Sequence, residues 1–239
     1  LFMVSILKIT AQSGYSIELN IKTIPTEEIT KNETGIGFSF YDNLDSKNKI
    51  TNSISYKNSG LKTNLDNYYS EENKDNYNSI KNNFELVHKI NEKINWNIEF
   101  KTVAAFEKSL GFTDVYLLGG AGIQYSFNNQ NNIHLGVKRM TVFGKAEVLP
   151  TISFHSQLNT TTAIEIGFPN SCISYSNNDR NNFRITNAFD GEFYKLDQPK
   201  VISPNLSASK ISFSQMTTAL EYERNVDQNW FMNFQGGYQ

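Results

Sequence analysis

The feature that most constrains this chain is a strict two-residue alternation, clearest between Trp96 and Phe106. Trp96, Ile98, Phe100, Thr102, Ala104 and Phe106 fall on one side, and Asn97, Glu99, Lys101, Val103, Ala105 and Glu107 on the other. A strand sends successive side chains to opposite faces, so the segment has one apolar or small face and one largely polar face. Its aromatic ends lie roughly 33 Å apart along a strand rising about 3.3 Å per residue. Tilted by about 40°, such a strand rises roughly 25 Å, the height of the apolar band between the aromatic girdles of an outer-membrane barrel.

The pattern recurs over residues 16–24, 36–41, 49–56, 80–90, 115–127 and 133–143, and less regularly over 148–157, 162–168, 172–176, 182–189, 211–225 and 230–238. This is about thirteen strands, and no stretch holds a 3.6-residue apolar period. The expected fold class is all-β: an antiparallel transmembrane (outer-membrane type) β-barrel of about 12–14 strands with little helix. Only 38% of the 239 residues are hydrophobic, which excludes helical membrane spans but suits strands that are half polar because they face a lumen. A net charge of −2 with no basic stripe argues against nucleic acid as a partner. The expected partners are outer-membrane lipid and small solutes.

Connections alternate in length. Short runs rich in Asn and Asp fall at 43–46, 91–93, 128–132, 159–160, 177–181 and 226–228, and longer polar loops are expected at 24–34, 60–78 and 190–206. Tight turns on one side and long loops on the other match the layout of an outer-membrane barrel. The 60–78 loop, with Tyr68, Tyr69 and Tyr77 among charges, reads as a solvated loop or an extracellular contact. Residues 1–12 read as the remainder of a secretory leader ending near Ala11, with residues 13–239 as a single barrel domain. Gln239 stops inside an alternating pattern, so a last strand is expected beyond it.

The polar faces place Glu85, Lys89, Glu99, Lys101, Glu107, Lys138, Glu165, Arg184, Glu221 and Glu223 toward the lumen. Such charges can line a solute path or pair across strands to fill a barrel. The apolar faces place Trp96, Phe106, Phe127, Phe143, Tyr222 and Trp230 in a lipid-facing girdle. Lys138 and Arg139 are adjacent, and a bulge returning both to the polar side is expected. His88, His134 and His155 are far apart in sequence and Cys172 is the only cysteine, so no metal site, cofactor or disulfide is expected. Ser153 and His155 share a face, yet no nucleophile–base–orienter pattern completes them, and no catalysis is expected.

Beyond Thr141 a resemblance emerges. Phe143-Gly144-Lys145-Ala146-Glu147-Val148-Leu149-Pro150, Ile164-Glu165-Ile166-Gly167-Phe168-Pro169, residues 171–175, Leu220-Glu221-Tyr222-Glu223, and Asn229-Trp230 through Gly237-Tyr238 together resemble a family of outer-membrane β-barrels of unknown function from Gram-negative bacteria. The resemblance covers the second half of the chain best. It implies fold and an outer-membrane location, and brings no activity with it. The expected function is a passive pore or structural barrel for small solutes. The alternatives are a secreted or periplasmic β-sandwich that binds a partner, and an outer-membrane hydrolase.

Overall fold

The computed structural model describes residues 3–10, 14–25, 29–63, 74–203, 206–227 and 229–238. Fourteen strands follow in order: β1 (Met3–Thr10), β2 (Tyr15–Pro25), β3 (Ile29–Asn43), β4 (Asn48–Thr63), β5 (Lys74–Lys89), β6 (Ile94–Phe106), β7 (Val115–Ser126), β8 (Asn131–Met140), β9 (Glu147–Gln157), β10 (Thr162–Phe168), β11 (Asn170–Asn178), β12 (Asn181–Ser203), β13 (Leu206–Asp227) and β14 (Trp230–Tyr238). Each pairs antiparallel with its sequence neighbours, and β1 pairs with both β2 and β14, so the sheet closes. A single 3-10 turn, Phe112–Asp114, is the helical content among the described residues. The fold is an outer-membrane-type β-barrel.

Closure removes the unpaired edges that lipid cannot satisfy. The apolar faces turn outward: Phe100 and Leu220 are each 65% exposed, with Phe38, Ile54, Ile123, Val137, Ile166 and Ile185 exposed around the wall. A β-sandwich would press those faces together in a core; one closed sheet with its apolar face outside rules that alternative out. On the outer face an aromatic row crosses four strands through the register partners Tyr175, Phe183, Tyr222 and Phe234. Phe183 stacks on Tyr222 at 5.0 Å, and Tyr222 on Phe234 at 6.3 Å.

The short turns share one device. Asp45, Asn91, Asn128, Asn159 and Asn178 each accept, through one side-chain oxygen, the backbone N–H groups two and three residues on. These Asx turns reverse the chain and satisfy its exposed donors at once. At Asp45 the Asn48 side chain and the N–H groups of Lys47 and Asn48 hold the carboxyl below the usual range. All five lie at the same end of the barrel, here called the turn end.

The other end departs from expectation. The described residues of the segments read as long loops are strand: β2 runs to Pro25 and β3 starts at Ile29, β4 runs to Thr63 and β5 starts at Lys74, and β12 continues to Ser203 before β13. They read as loops because both of their faces carry polar residues beyond the apolar belt. Tyr68 and Tyr69 lie outside the described residues, whereas Tyr77 stands in β5 with no exposure. The run read as the end of a leader contributes β1, with a bulge after Ile6. Its pairing with β14 closes the sheet of described strands. β8 keeps an unbroken register and ends at Met140, without the expected bulge. Lys138 therefore points into the lumen and Arg139 outward, where its Nη1 donates to the Leu117 carbonyl at 2.6 Å.

β11 accompanies β12 only as far as the Asn170–Ala188 pair. Past that point the β12–β13 hairpin leaves the wall and crosses the loop-end mouth. Lys195 reaches the opposite side and pairs in parallel with Phe106, whose β7 neighbour has not yet begun.

Candidate functional site

The inner face is the site, and it has two distinct halves. At the loop-end mouth the crossing hairpin docks through Tyr194 and Leu196 against Leu61, Tyr77, Val103 and Ala105 of β4, β5 and β6. Tyr194 is 1% exposed and its ring centroid lies 5.0 Å from that of Tyr77. Phe193 stacks on Tyr116 at 4.3 Å. Beneath this apolar layer lies an ionic one. The Glu192 carboxylate, in a residue 6% exposed, lies 2.5 Å from Lys57 Nζ, 2.7 Å from Lys81 Nζ and 3.6 Å from Lys31 Nζ. It also accepts the Tyr194 hydroxyl at 2.8 Å. Glu33 takes a second share of the same cations, 2.8 Å from Lys31 and 3.1 Å from Lys57, and accepts the Ser59 hydroxyl. Buried charges persist only when paired and hydrogen-bonded in this manner. The β8–β9 loop locks the outer side of the hairpin: Thr141 Oγ1 donates to the Gly191 carbonyl at 2.6 Å, and Ser214 Oγ to that of Val142 at 2.8 Å.

The sequence signalled none of Lys31, Glu33, Lys57, Lys81 and Glu192 as site residues. The loop assignments at 24–34 and 190–206 hid Lys31, Glu33 and Glu192, Lys57 fell just past the assigned strand 49–56, and Lys81, inside the assigned strand 80–90, was not singled out. What joins them to Glu192 is a contact between residues up to 161 positions apart, which no local pattern records.

Farther down the lumen the predicted charges pair. Glu99 lies 2.7 Å from Lys138 and 3.6 Å from Lys101. Arg184 lies 3.1 Å from Glu221 and 3.3 Å from Glu223. Glu221 further accepts Gln235 at 2.8 Å and Thr186 at 3.2 Å. Two of the predicted residues stand at the rims instead. Lys89 is exposed beside the 90–93 turn, and Glu107 lies past β6, its Oε2 accepting the Asp197 N–H at 3.2 Å.

Toward the turn end the lumen opens into a cavity of about 480 Å³, lined by Glu85, Asn97, Gln124, His134, His155 and Glu165 among others. Glu85 accepts the Asn97 amide at 2.9 Å, and His134 Nε2 lies 3.2 Å from Asn97 Oδ1. Gly122 makes room here, since a Cβ on it would run into the His134 imidazole. The register sets His134 opposite Ser153 and His155 opposite Glu165, so these residues are neighbours on the lumen wall. A serine nucleophile needs its base within about 2.6–3.2 Å; among the described bonds His134 meets Asn97 rather than Ser153, and no catalytic role is assigned. His88, by contrast, packs on Trp96 at 5.3 Å and meets Asn48 at 2.7 Å, on the outer face near the turn end.

The aromatic residues expected in a girdle are distributed more widely. Trp230 is exposed on the outer face near the turn end, where Tyr222 stacks between Phe183 and Phe234; Trp96 is half-buried against His88 and also borders the turn-end cavity; Phe127 opens the turn after β7, edge-on to Tyr125 at 5.2 Å. Phe143 lies in the β8–β9 loop and stacks on Phe168 at 6.3 Å. Phe106 is the β6 residue bridged by Lys195.

A family model described as "Domain of unknown function (DUF6268)" matches residues 7–239. The chain belongs to this family. No curated protein matches the DUF6268 chain. Similar solved structures include the TodX monoaromatic hydrocarbon channel deltaS2 mutant, at 10% identity over 100% of this chain and 88% of that one, with a TM-score of 0.39. They also include the Pseudomonas putida toluene transporter TodX, at 11% identity over 98% and 85%, with a TM-score of 0.36. Values this low carry nothing about what enters the DUF6268 lumen.

Proposed function

We propose that this DUF6268 barrel sits in the outer membrane of a Gram-negative cell and passes small polar solutes through its lumen. The observation that carries the reading is the polar cavity of about 480 Å³ inside a closed sheet whose outside is apolar. A solute entering from the turn end exchanges water for the Glu85 and Glu165 carboxylates and the side chains of Gln124, His134 and His155. Hydrogen-bonding walls without a deep apolar slot favour passage over tight retention. The test is conductance of the refolded full chain in planar bilayers, with liposome swelling in sugars of graded size. A heat-modifiable shift on unboiled denaturing gels verifies that the barrel has formed. Stepwise conductance and size-limited swelling are expected; a folded barrel silent in both has a structural role.

A further inference from the structure

We propose that the lysine cage formed by Lys31, Lys57 and Lys81 is a receptor for a carboxylate solute, occupied in this structure by Glu192 of the chain's own β12–β13 hairpin. A solute carboxylate entering the cage displaces Glu192 and frees the hairpin from the mouth. The inference deepens the pore reading by naming the solute class and the part that yields to it.

Three observations support it. Glu192 belongs to the one segment of the described wall that leaves its neighbour β11 and crosses the mouth, whereas its three cationic partners stand on the unbroken wall strands β3, β4 and β5. The cations therefore stay in place when the carboxylate moves. The wall supplies the contacts an anion receptor needs: three ammonium groups converging on one carboxylate, withdrawn from bulk water. The wall also keeps its own counter-charge. Glu33 remains with Lys31 and Lys57 on β3 and β4, Lys22 on β2 is its register partner, and Asp190 on the hairpin is the other acidic group close to Lys22. If Glu192 withdraws, Lys81 loses its described ion pair, and an external carboxylate restores it.

The apolar contacts set what else the solute meets. Tyr77 lies beside the cage under Tyr194, so a carboxylate carrying an apolar group is accommodated where Tyr194 now packs.

The hairpin's position can be read directly by cross-linking, without any requirement for conduction. Phe106 and Lys195 are register partners, and cysteines at both positions in a Cys172→Ala background form a disulfide only while the hairpin is docked. The probes are benzoate and succinate, with chloride at matched ionic strength and neutral benzamide as controls. Benzoate and succinate are expected to slow cross-linking saturably, by roughly tenfold for the loss of charge-assisted bonds of this kind. Lys81→Met is expected to abolish the dependence on carboxylate, and Glu192→Gln to slow cross-linking without any added anion. Lys57→Met serves as a second cage variant, and the gel shift verifies that every variant is a folded barrel. Cross-linking that ignores both carboxylates overturns the proposal, as does slowing by chloride equal to that by benzoate. A carboxylate effect in a barrel that does not conduct leaves the receptor standing and removes the pore.

Discussion

Glu192 and Glu165 both meet the lumen, one from the hairpin across the mouth and one from the wall near the turn end. Glu192 is 6% exposed and surrounded by three ammonium groups. Glu165 is exposed and borders an open cavity shared with Glu85 and two histidines. Both arise from the same alternation of polar and apolar residues. The difference is that a hairpin folds over one end and not over the other. Covering a carboxylate excludes the water that screened it, which strengthens each ion pair and makes each unpaired charge expensive. The mouth is thus built to stay closed until its charges are satisfied in another way, and the turn end to remain wet.

This contrast can be broken most severely at the apolar layer. Tyr194→Ala empties a fully buried position and removes the hydroxyl from Glu192; it should cost about 4 kcal/mol, read as a lower urea midpoint for loss of the gel-shifted form, and should raise conductance. Next comes the ionic layer. Glu33→Gln leaves Lys31 and Lys57 with one carboxylate between them, at an expected cost of about 3 kcal/mol in the same assay; a change no larger than that for an exposed lysine would show that the mouth is not a dry, coupled cluster.

A matched pair of glycines sharpens the comparison. At Gly191 an added Cβ runs into backbone, the Thr141 carbonyl oxygen first and then the Val142 carbonyl carbon and oxygen at 2.8 Å, so Gly191→Ala should cost about 2 kcal/mol and loosen the hairpin in the cross-linking assay. At Gly122 the nearest obstacle is the His134 ring, which can turn into the cavity. Gly122→Ala should therefore cost under about 1 kcal/mol, the scale of one displaced rotamer, while reducing liposome swelling. Equal penalties would mean that the two halves are equally tightly packed. The smallest general effect belongs to the Asx turns: Asn91→Ala removes two accepted N–H bonds in the open and should lower stability by about 1 kcal/mol with conductance unchanged.

Much of the wall was legible locally. The strand around Trp96, the turns at Asp45, Asn91, Asn128, Asn159 and Asn178, and the closed all-β architecture all follow from a two-residue period interrupted by residues that favour turns. Legibility failed where a strand leaves the apolar belt. Residues 60–63 and 74–78 carry mostly polar side chains and so resemble loop, although Leu61 and Tyr77 among them are buried under the hairpin together with Ser59 and Ser79. Residues 190–203 resemble loop for the same reason, yet they supply Glu192, Tyr194 and Leu196. Arg139 shows the converse: a bulge was expected to turn it inward, and the strand instead kept its register, with the guanidinium satisfied outside by the Leu117 carbonyl.

By itself the sequence determined that the chain alternates, turns on Asn and Asp, and shows an apolar outside and a polar inside, because these depend on residues two to four positions apart. Tertiary structure decided which polar residues meet. Glu192 finds Lys31, Lys57 and Lys81 only because the sheet closes and one hairpin crosses its mouth, bringing together strands that are half a barrel apart.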